Sequence, residues 1–152
     1  NDLGKRLSSQ AMSFRIITGD WESVREDAQR VRIEVFVIEQ NVPIELEWDE
    51  GDEVSTHAIA YDEEGQPVAT GRLLPDGHIG RMAVIKPLRG CGLGREVLQA
   101  LLHEAREEGH KDLLLHAQTH ALAFYEKQGF IAEGDEFIEA DIPHRLMRLT
   151  LG

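Results

Sequence analysis

The sequence contains one cysteine, few aromatic residues and no long hydrophobic run. Because Cys91 is the only cysteine, an intramolecular disulfide is excluded and a reducing compartment is favoured. No apolar stretch approaches the roughly 20 residues that a membrane-spanning helix needs, so we expect no membrane association. Residues 1–11 also lack the apolar segment of a secretory signal. We therefore expect a cytoplasmic protein.

Basic residues and metal-binding spacings are scarce as well. The chain has 28 Asp and Glu residues against 16 Lys and Arg residues, a formal net charge of −12. Because binding to nucleic-acid phosphates needs a basic surface, DNA and RNA are excluded as main partners. The sequence has 7 histidines, but none stands in a zinc-binding spacing such as His-Glu-x-x-His. We therefore expect no metal.

The acidic residues are concentrated in residues 45–64, a segment that contains no Lys or Arg. They are Glu45, Glu47, Asp49, Glu50, Asp52, Glu53, Asp62, Glu63 and Glu64. Two interpretations stay open. In the first, the segment is a solvated loop that keeps the protein soluble. In the second, it is an electrostatic funnel that attracts a cationic substrate.

The length of 152 residues fits one domain with a substantial core. No repeat, low-complexity tract or linker divides the chain. Met12 is a natural starting residue, so we interpret residues 1–11 as an N-terminal extension or a cloning remnant. A single domain is predicted over residues 12–152.

Hydrophobic patterning predicts strands and helices in mixed order. Strands are predicted at residues 14–18, 55–61, 68–74, 79–85, 112–117, 130–132 and 145–151. The first helix should begin at Asp20 and bury the stripe Val24, Ala28, Val31, Val35 and Ile38. A second helix should bury Leu93, Val97, Leu98, Leu101, Leu102 and Ala105 and end at Gly109, and a third should cover residues 120–128. This order predicts an α/β or α+β sandwich of layers around one sheet.

A glycine-rich loop lies between a predicted strand and the second helix. Glycines at alternate positions, Gly90, Gly92 and Gly94, allow a close backbone approach to a ligand. The unpaired N–H groups at a helix start favour an anion, so a phosphate or pyrophosphate is expected. The alternative is a tight glycine turn with no ligand. Arg95-Glu96 matches neither a Walker loop nor the Rossmann fingerprint.

The pattern Arg89-x-x-Gly92-x-Gly94 resembles the acetyl-CoA loop of the GNAT superfamily of N-acyltransferases. Residues 118–130 look like the second GNAT signature, Ala-x-x-Phe-Tyr-Glu-Lys-x-Gly-Phe. Within the superfamily, residues 34–40, 69–73 and 142–144 resemble the ElaA-like subgroup. The resemblance implies a mixed, mostly antiparallel central sheet, splayed near its middle, with helices on both faces.

The resemblance also implies roles for individual residues. The backbone of Met82, Ala83 and Val84 would pair with the pantetheine arm, and the Val84 N–H would stabilise the thioester oxyanion. The pyrophosphate would be held by loop residues Arg89, Gly90, Cys91, Gly92, Leu93 and Gly94. Ala121 and Phe124 would contact coenzyme A, as would Gln118, which stands where the family often has Asn. Tyr125 would protonate the leaving thiolate; core packing is its alternative role.

The general base has several candidates. His78 lies four residues before Met82, so the two side chains should share a face of a regular strand. Glu34 and Glu39, near the end of the first helix, could face the acceptor. His57, His116 and His144 are alternatives that the sequence does not rank. A nucleophilic role for Cys91 is disfavoured, because only its backbone is needed.

The implied reaction is transfer of the acetyl group of acetyl-CoA to a primary amine of a small molecule or peptide. A cationic amine would suit the acidic segment, and a homodimer is compatible with the sequence. The rival hypothesis is a non-catalytic domain that binds acyl-CoA as a sensor or docks a partner. Both would bind coenzyme A, but only the enzyme would release its thiol in the presence of an acceptor.

Overall fold

The structure, a computed structural model, describes residues 13–152. The extension predicted for residues 1–11 lies outside the described residues, as does Met12. Within residues 13–152, seven strands form one sheet in the order β1-β2-β3-β4-β5-β7-β6. They are β1 (Arg15–Gly19), β2 (Thr56–Tyr61), β3 (Pro67–Leu73), β4 (His78–Val84), β5 (Asp112–Gln118), β6 (Ile131–Glu139) and β7 (Ile142–Thr150). Only the β4–β5 pair is parallel, so the predicted mixed, mostly antiparallel sheet is confirmed.

Helices cover both faces of this sheet, as predicted. They are α1 (Trp21–Arg32), α2 (Leu93–Glu107) and α3 (Leu122–Lys127). A π-helical turn at Ile33–Glu39 continues α1, and 3₁₀ turns lie at Ile44–Leu46, Glu50–Val54, Lys86–Leu88 and Thr119–Ala121. On one face Trp21 and Val24 of α1 pack against Ile59 of β2. On the other face α2 packs its apolar stripe into the main core.

The first helix begins where the sequence predicts but changes its winding. The Asp20 carboxylate accepts a 3.0 Å hydrogen bond from the Ser23 N–H and caps the helix. Val24, Ala28, Val31 and Val35 are buried as predicted, whereas Ile38 is 71% exposed. The prediction was wrong at Ile38, because the wider π-helical turn changes the angular spacing of side chains around the axis.

The second helix follows its predicted pattern throughout. All six apolar residues assigned to its buried face are buried in the main core, and Gly109 ends the helix with a φ of 84°. A left-handed φ at this position favours glycine, which explains why the helix ends there. The glycine loop before α2 is therefore attached to a rigid element.

The sheet divides between β4 and β5. These two strands pair only at His78↔Leu114 and Ile79↔Leu115. Within residues 13–152 no other residues of β4 and β5 are paired with each other. Arg81 has a φ of 51°, and its strand shows a register shift against β3 at this point, which marks a β-bulge. The predicted splay is confirmed. We call β1–β4 the first arm and β5–β7 the second arm.

The C-terminal hairpin is longer than the predicted strands. The sequence predicted strands at residues 130–132 and 145–151, whereas β6 and β7 each span nine residues. The turn between them places Ala140 and Asp141 at φ values of 51° and 62°. The prediction missed this turn because it lacks glycine, and it missed most of β6 because residues 133–136 are polar and interrupt the register.

Part of the acidic segment is buried, so the solvated-loop interpretation is wrong for that part. Glu47 and Asp52 are 3% and 0% exposed. Arg32, itself buried, places Nη1 and Nη2 at 2.9 Å from the two Asp52 carboxylate oxygens. Its Nε lies 3.0 Å from Glu47 Oε2 but at an angle unsuited to a hydrogen bond. We call the whole group of buried and half-buried charges the ionic cluster: Arg32, Glu47, Asp49, Asp52, Arg72 and Arg81.

The ionic cluster also lowers the pKa values of two of its acids, Asp49 and Asp52. Asp49 accepts hydrogen bonds of 2.6 Å from Arg72 and 3.1 Å from Arg81. The Arg72 bond is the main reason that the pKa of Asp49 falls to about 2. Burial would raise the pKa of Asp52, but Arg32 and Arg72 together outweigh burial and lower it. Because Glu47, Asp49 and Asp52 are paired with arginines, these three carboxylates add little to the cation funnel that was the alternative interpretation of the segment.

Candidate active site

A cavity of about 480 Å³ occupies the splay between the two arms. Strands β4 and β5 form its walls, the π-helical turn and the acidic segment close one side, and the β6–β7 hairpin closes another. The residues that the chemistry below uses are Gln40, His78, Met82, His116, Gln118, Tyr125, Glu139 and His144. The cavity therefore brings residues of the second sequence signature, Gln118, Ala121 and Tyr125, together with Met82 of β4.

The splay gives this cavity two chemically different sides. Tyr125 and Met82 belong to the main core, which α2 covers. On β5, Leu113, Leu115 and Ala117 also face that core, so by alternation His116 and Gln118 face the opposite side. His144 is the cross-strand partner of Gln118 and shares this second side. We call the two sides the core side and the outer side.

The bulge at Arg81 overturns one prediction. Ile79 and Met82 both pack with the core side, whereas Ala83 packs against Val31 and Val35 near α1. A regular strand would place residues 78 and 82 on the same face, but the extra residue of the bulge reverses the alternation. His78 and Met82 therefore do not share a face, and the geometric reason for choosing His78 as base is lost.

The end of β4 presents its backbone to the splay. The Ile85 N–H donates a 3.1 Å hydrogen bond to the Val68 carbonyl, so Ile85 uses its peptide groups on the side of β3. Because peptide groups alternate along a strand, those of Val84 turn towards β5 and the cavity. The Val84 carbonyl accepts a 2.9 Å hydrogen bond from Arg89 Nε. Val84 thus has the orientation that an oxyanion donor needs.

The glycine loop has the geometry of an anion site. Gly90 and Gly92 have φ values of 85° and 88°, and a Cβ on either would meet no heavy atom within 4 Å. Gly92 is the N-cap of α2. Because glycine has no side chain, no capping group accepts from the N–H groups of the first helical turn. The first N–H groups of α2 are consequently available to an anion. Gly94 differs, because a Cβ there would touch Val84 and Phe124 at 3.5 and 3.7 Å.

Arg89 forms an ion pair that the sequence did not reveal. Its Nη1 and Nη2 atoms lie 2.5 and 2.6 Å from the two Glu39 carboxylate oxygens. The hydrogen bond from Arg89 lowers the pKa of Glu39, so Glu39 is a poor proton acceptor. Glu39 is therefore rejected as a general base. Glu34 does not line the cavity.

Tyr125 has the environment of a neutral proton donor. The side chain is 8% exposed, and its ring contacts those of Phe124 and Phe130 at centroid distances of 4.9 and 5.9 Å. Burial raises the pKa of Tyr125, which keeps the phenol protonated at neutral pH. Its hydroxyl forms no hydrogen bond within the described part of the chain.

Gln118 is held by a residue from the far side of the cavity. Its side-chain amide exchanges two hydrogen bonds with that of Gln40, at 3.1 and 3.3 Å, and accepts a third from His120 at 2.7 Å. Gln40 ends the π-helical turn, so this pair bridges α1 and β5 across the splay. No local pattern marks Gln40, because its partner lies 78 residues away.

The histidines that the sequence left unranked divide into two groups. His57 is fully buried beside the ionic cluster, where its Nε2 lies 2.9 Å from the Asp52 carbonyl, and burial lowers its pKa. His57 does not line the cavity and is excluded from the site. His78, His116 and His144 all line the cavity on its outer side.

Comparisons with known proteins agree with this geometry. A family model described as an acetyltransferase (GNAT) domain matches residues 24–151. The chain is 42% identical over 130 residues to an uncharacterized N-acetyltransferase, YjcF, of Bacillus subtilis, and the match covers 83% of this chain and 92% of that protein. Among solved structures, an acyl-CoA N-acyltransferase from Pseudomonas aeruginosa superposes with a TM-score of 0.81 at 32% identity, covering 91% of this chain and all (100%) of that one. Escherichia coli ElaA gives a TM-score of 0.80 at 28% identity, covering 89% and 99%.

Fold and site together define an acyl-CoA-dependent acyltransferase. The chain belongs to the GNAT acetyltransferase family. Its predicted similarity to the ElaA-like subgroup is confirmed, and its acyl donor is acetyl-CoA.

No helix in residues 13–152 has both the length and the apolar character to cross a membrane. The described residues also contain no group of three or more potential ligands arranged to hold a metal ion.

Proposed function

We propose that the enzyme transfers the acetyl group directly from acetyl-CoA to a primary amine of a small molecule or peptide. The observation that carries this proposal is the cavity in the splay, which places a buried tyrosine on its core side and imidazoles on its outer side. An acceptor and a thioester can then meet between a proton donor and a proton acceptor.

The cofactor would lie along the splay, from the glycine loop to Tyr125. Amides of Gly90 to Gly94 would hold the pyrophosphate, and Met82 to Val84 would pair with the pantetheine arm. The Val84 N–H would donate to the oxyanion that forms on the thioester oxygen. We further propose that residues 12–152 form the catalytic domain.

The chemistry needs three proton transfers. The ammonium form of the acceptor first loses a proton to a base, because only the neutral amine can attack the thioester carbon. When the C–S bond breaks, Tyr125 gives its proton to the thiolate. The acceptor nitrogen, now bonded to the acetyl carbon, then gives a proton to the tyrosinate. This step yields the amide and restores Tyr125. Overall, ammonium and acetyl-CoA give amide, coenzyme A thiol and one proton.

The acceptor we propose is an amine that is cationic in solution. Three acids that suggested a cation funnel, Glu47, Asp49 and Asp52, are paired with arginines and add little to such a field. Glu139, which also lines the cavity, pairs with a histidine and not with an arginine. Its Oε1 atom lies 2.8 Å from His116 Nδ1. An ammonium group approaching the outer side would therefore meet Glu139.

A panel of primary amines tests the proposal. We expect coenzyme A thiol to be released with at least one aliphatic amine, aromatic amine, polyamine or lysine peptide, and mass spectrometry to detect the acetylated amine in equal amount. Tyr125→Phe serves as the control against a contaminating enzyme, because it should abolish most of this release. Binding of coenzyme A without thiol release across the panel would instead support the sensor hypothesis.

A further inference from the structure

Three imidazoles line the outer side of the cavity, and their burial and position distinguish them. The rings form a row that crosses the second arm, with centroid distances of 5.9 Å from His78 to His116, 5.2 Å from His116 to Phe137 and 5.9 Å from Phe137 to His144. Each imidazole has its Nδ1 engaged, so Nε2 is the nitrogen left for chemistry. The question is which of them takes the proton of the acceptor.

The tautomer of His144 is determined by its partner. His144 Nδ1 lies 2.6 Å from the Ile142 carbonyl oxygen. A carbonyl can only accept, so Nδ1 carries the hydrogen and Nε2 of the neutral ring keeps its lone pair. Within residues 13–152 the Nε2 atom of His144 has no hydrogen-bond partner. This atom is not fully enclosed by the protein, so it stays accessible. Since His144 lines the cavity, Nε2 faces the space in which an acceptor would bind.

The position of His144 favours it over the other two imidazoles. The ring is 6% exposed and stacks on Phe137 at an interplanar angle of 21°, so its orientation is fixed. Its strand partner is Gln118, at the end of β5, where the arms have separated, and Tyr125 lines the same cavity. His78 and His116 contact each other near the paired end of β4 and β5. Their side chains are also 34% and 40% exposed, so packing fixes their orientation less than it fixes that of His144.

We propose that His144 Nε2 is the general base that deprotonates the ammonium group of the acceptor. This assignment rests on the proposed amine acetylation. His144 accepts the proton from nitrogen on the outer side, the neutral amine attacks through the splay, and Tyr125 protonates the sulfur on the core side. The imidazolium then releases its proton to solvent, which restores the starting state.

The pH dependence of this step has identifiable contributors. On the outer side, His78, His116 and Glu139 share the cavity with His144, and Tyr125 faces it from the core side. From the acidic segment and β4, Glu47, Asp49 and Arg81 line the same cavity, and Arg72 reaches it from β3. Most of these charges are paired with one another, so His144 and His116 are the groups whose protonation the experiment must separate.

Asparagine substitutions separate them. His144→Asn keeps a side-chain N–H that can donate to the Ile142 carbonyl but removes the basic Nε2. His116→Asn is the matched control, because it keeps a donor to Glu139 and removes the equivalent nitrogen. With an amine that the wild type acetylates, we expect His144→Asn to lower kcat/KM by about 10²-fold or more, the usual effect of losing a general base. His116→Asn should lower kcat/KM far less, by no more than about 5-fold, because it weakens only an exposed contact with Glu139.

A structural role for His144 would not change the pH profile, whereas a base would. Wild type and His116→Asn should both lose activity as the pH falls through one imidazole ionisation. His144→Asn should lose this ionisation and follow the acceptor's own titration, with unchanged coenzyme A affinity by calorimetry. If His144→Asn keeps the rate and the ionisation, or if His116→Asn loses them instead, the assignment is overturned.

A second measurement needs neither an acceptor nor a variant. Nitrogen NMR of the wild-type imidazoles should show His144 protonated at Nδ1 and not at Nε2 in its neutral form. Protonation at Nε2 would overturn the assignment even if His144→Asn failed to fold. A wild type that acetylates no amine would refute the proposed function, and the NMR result would still decide the tautomer of His144.

Discussion

The two arms of the sheet differ in how they are covered. Strand β3 of the first arm is buried along its whole length between α1 and α2, whereas β5 of the second arm alternates between buried and accessible residues. The ionic cluster lies beside the first arm, whereas two of the three imidazoles, His116 and His144, lie on the outer side of the second arm. The comparison indicates that the first arm mainly stabilises the fold. The chemistry is concentrated in the splay and on the outer side of the second arm.

The largest expected effect is the loss of coenzyme A binding at the glycine loop. We expect Gly92→Asp to weaken binding at least 10²-fold, since it adds negative charge where the pyrophosphate should lie. Gly65→Asp is the matched control, because Gly65 also has a positive φ, of 79°, and equally open surroundings in the β2–β3 turn of the first arm. Calorimetry with coenzyme A should separate the two variants. Equal loss in both would contradict the loop assignment.

The second prediction concerns stability in the first arm. Asp52→Asn removes one partner of a buried ion pair and leaves Arg32 and Arg72 without its charge. We expect a loss of about 3–5 kcal/mol in the free energy of unfolding, measured by urea denaturation. Glu53→Gln, an exposed neighbour, should stay within about 0.5 kcal/mol.

The same variant has a signature in pH. The folded-state pKa of Asp52 is lowered, so its stabilising effect is present above the unfolded value of about 4 and is lost as the pH falls through the folded pKa. Wild type should therefore lose more stability on acidification than Asp52→Asn does. Parallel stability curves for the two proteins would show that the ionic cluster does not depend on this carboxylate.

The two tyrosines provide a smaller contrast between the arms. Tyr125→Phe should reduce kcat by about 10²-fold with little change in coenzyme A affinity, as expected for loss of an acid. Tyr61→Phe removes a buried hydroxyl that donates to Asp27 at 2.5 Å in the first arm, so it should cost stability but not turnover. If Tyr125→Phe keeps normal turnover while chemistry limits the rate, Tyr125 is only a packing residue.

The smallest expected effect lies at the Arg89–Glu39 pair. Glu39→Gln removes a negative charge beside the expected pyrophosphate site and releases the Arg89 guanidinium towards it. Exposed ion pairs contribute about 0.2–1 kcal/mol, so coenzyme A affinity should rise by no more than about 5-fold. Glu34→Gln, which breaks no contact with Arg89, should leave affinity unchanged. Weaker binding in Glu39→Gln would mean that the pair positions the loop.

The elements that local patterns specify were predicted correctly. Strands β2–β4 are apolar runs between turn residues, and α2 has a regular stripe with glycines at both ends. The roles of the glycine loop and of Tyr125 stay predictions, and both were made because each lies in a short contiguous motif. The splay forms the cavity that Tyr125 lines, and the expectation of a splay came from the resemblance to a family.

The features that depend on distant partners could not be predicted. Arg32 and Asp52 are 20 residues apart, and Gln40 and Gln118 are 78 residues apart, so no local spacing connects them. The bulge at Arg81, which reverses the face that His78 occupies relative to Met82, was missed although Gly80 beside it is a sequence signal for a bulge. His144 could be singled out only after the structure showed its burial, its stacking on Phe137 and its pairing with Gln118.

Amide hydrogen exchange with and without coenzyme A tests the central claim most directly. If coenzyme A binds in the splay, exchange should slow at the end of β4, in the loop from Arg89 to Gly94 and around Gln118 to Tyr125. The β1–β2 pair of the first arm should be unaffected. Protection of the first arm, or unchanged exchange in the splay with coenzyme A bound, would contradict the account.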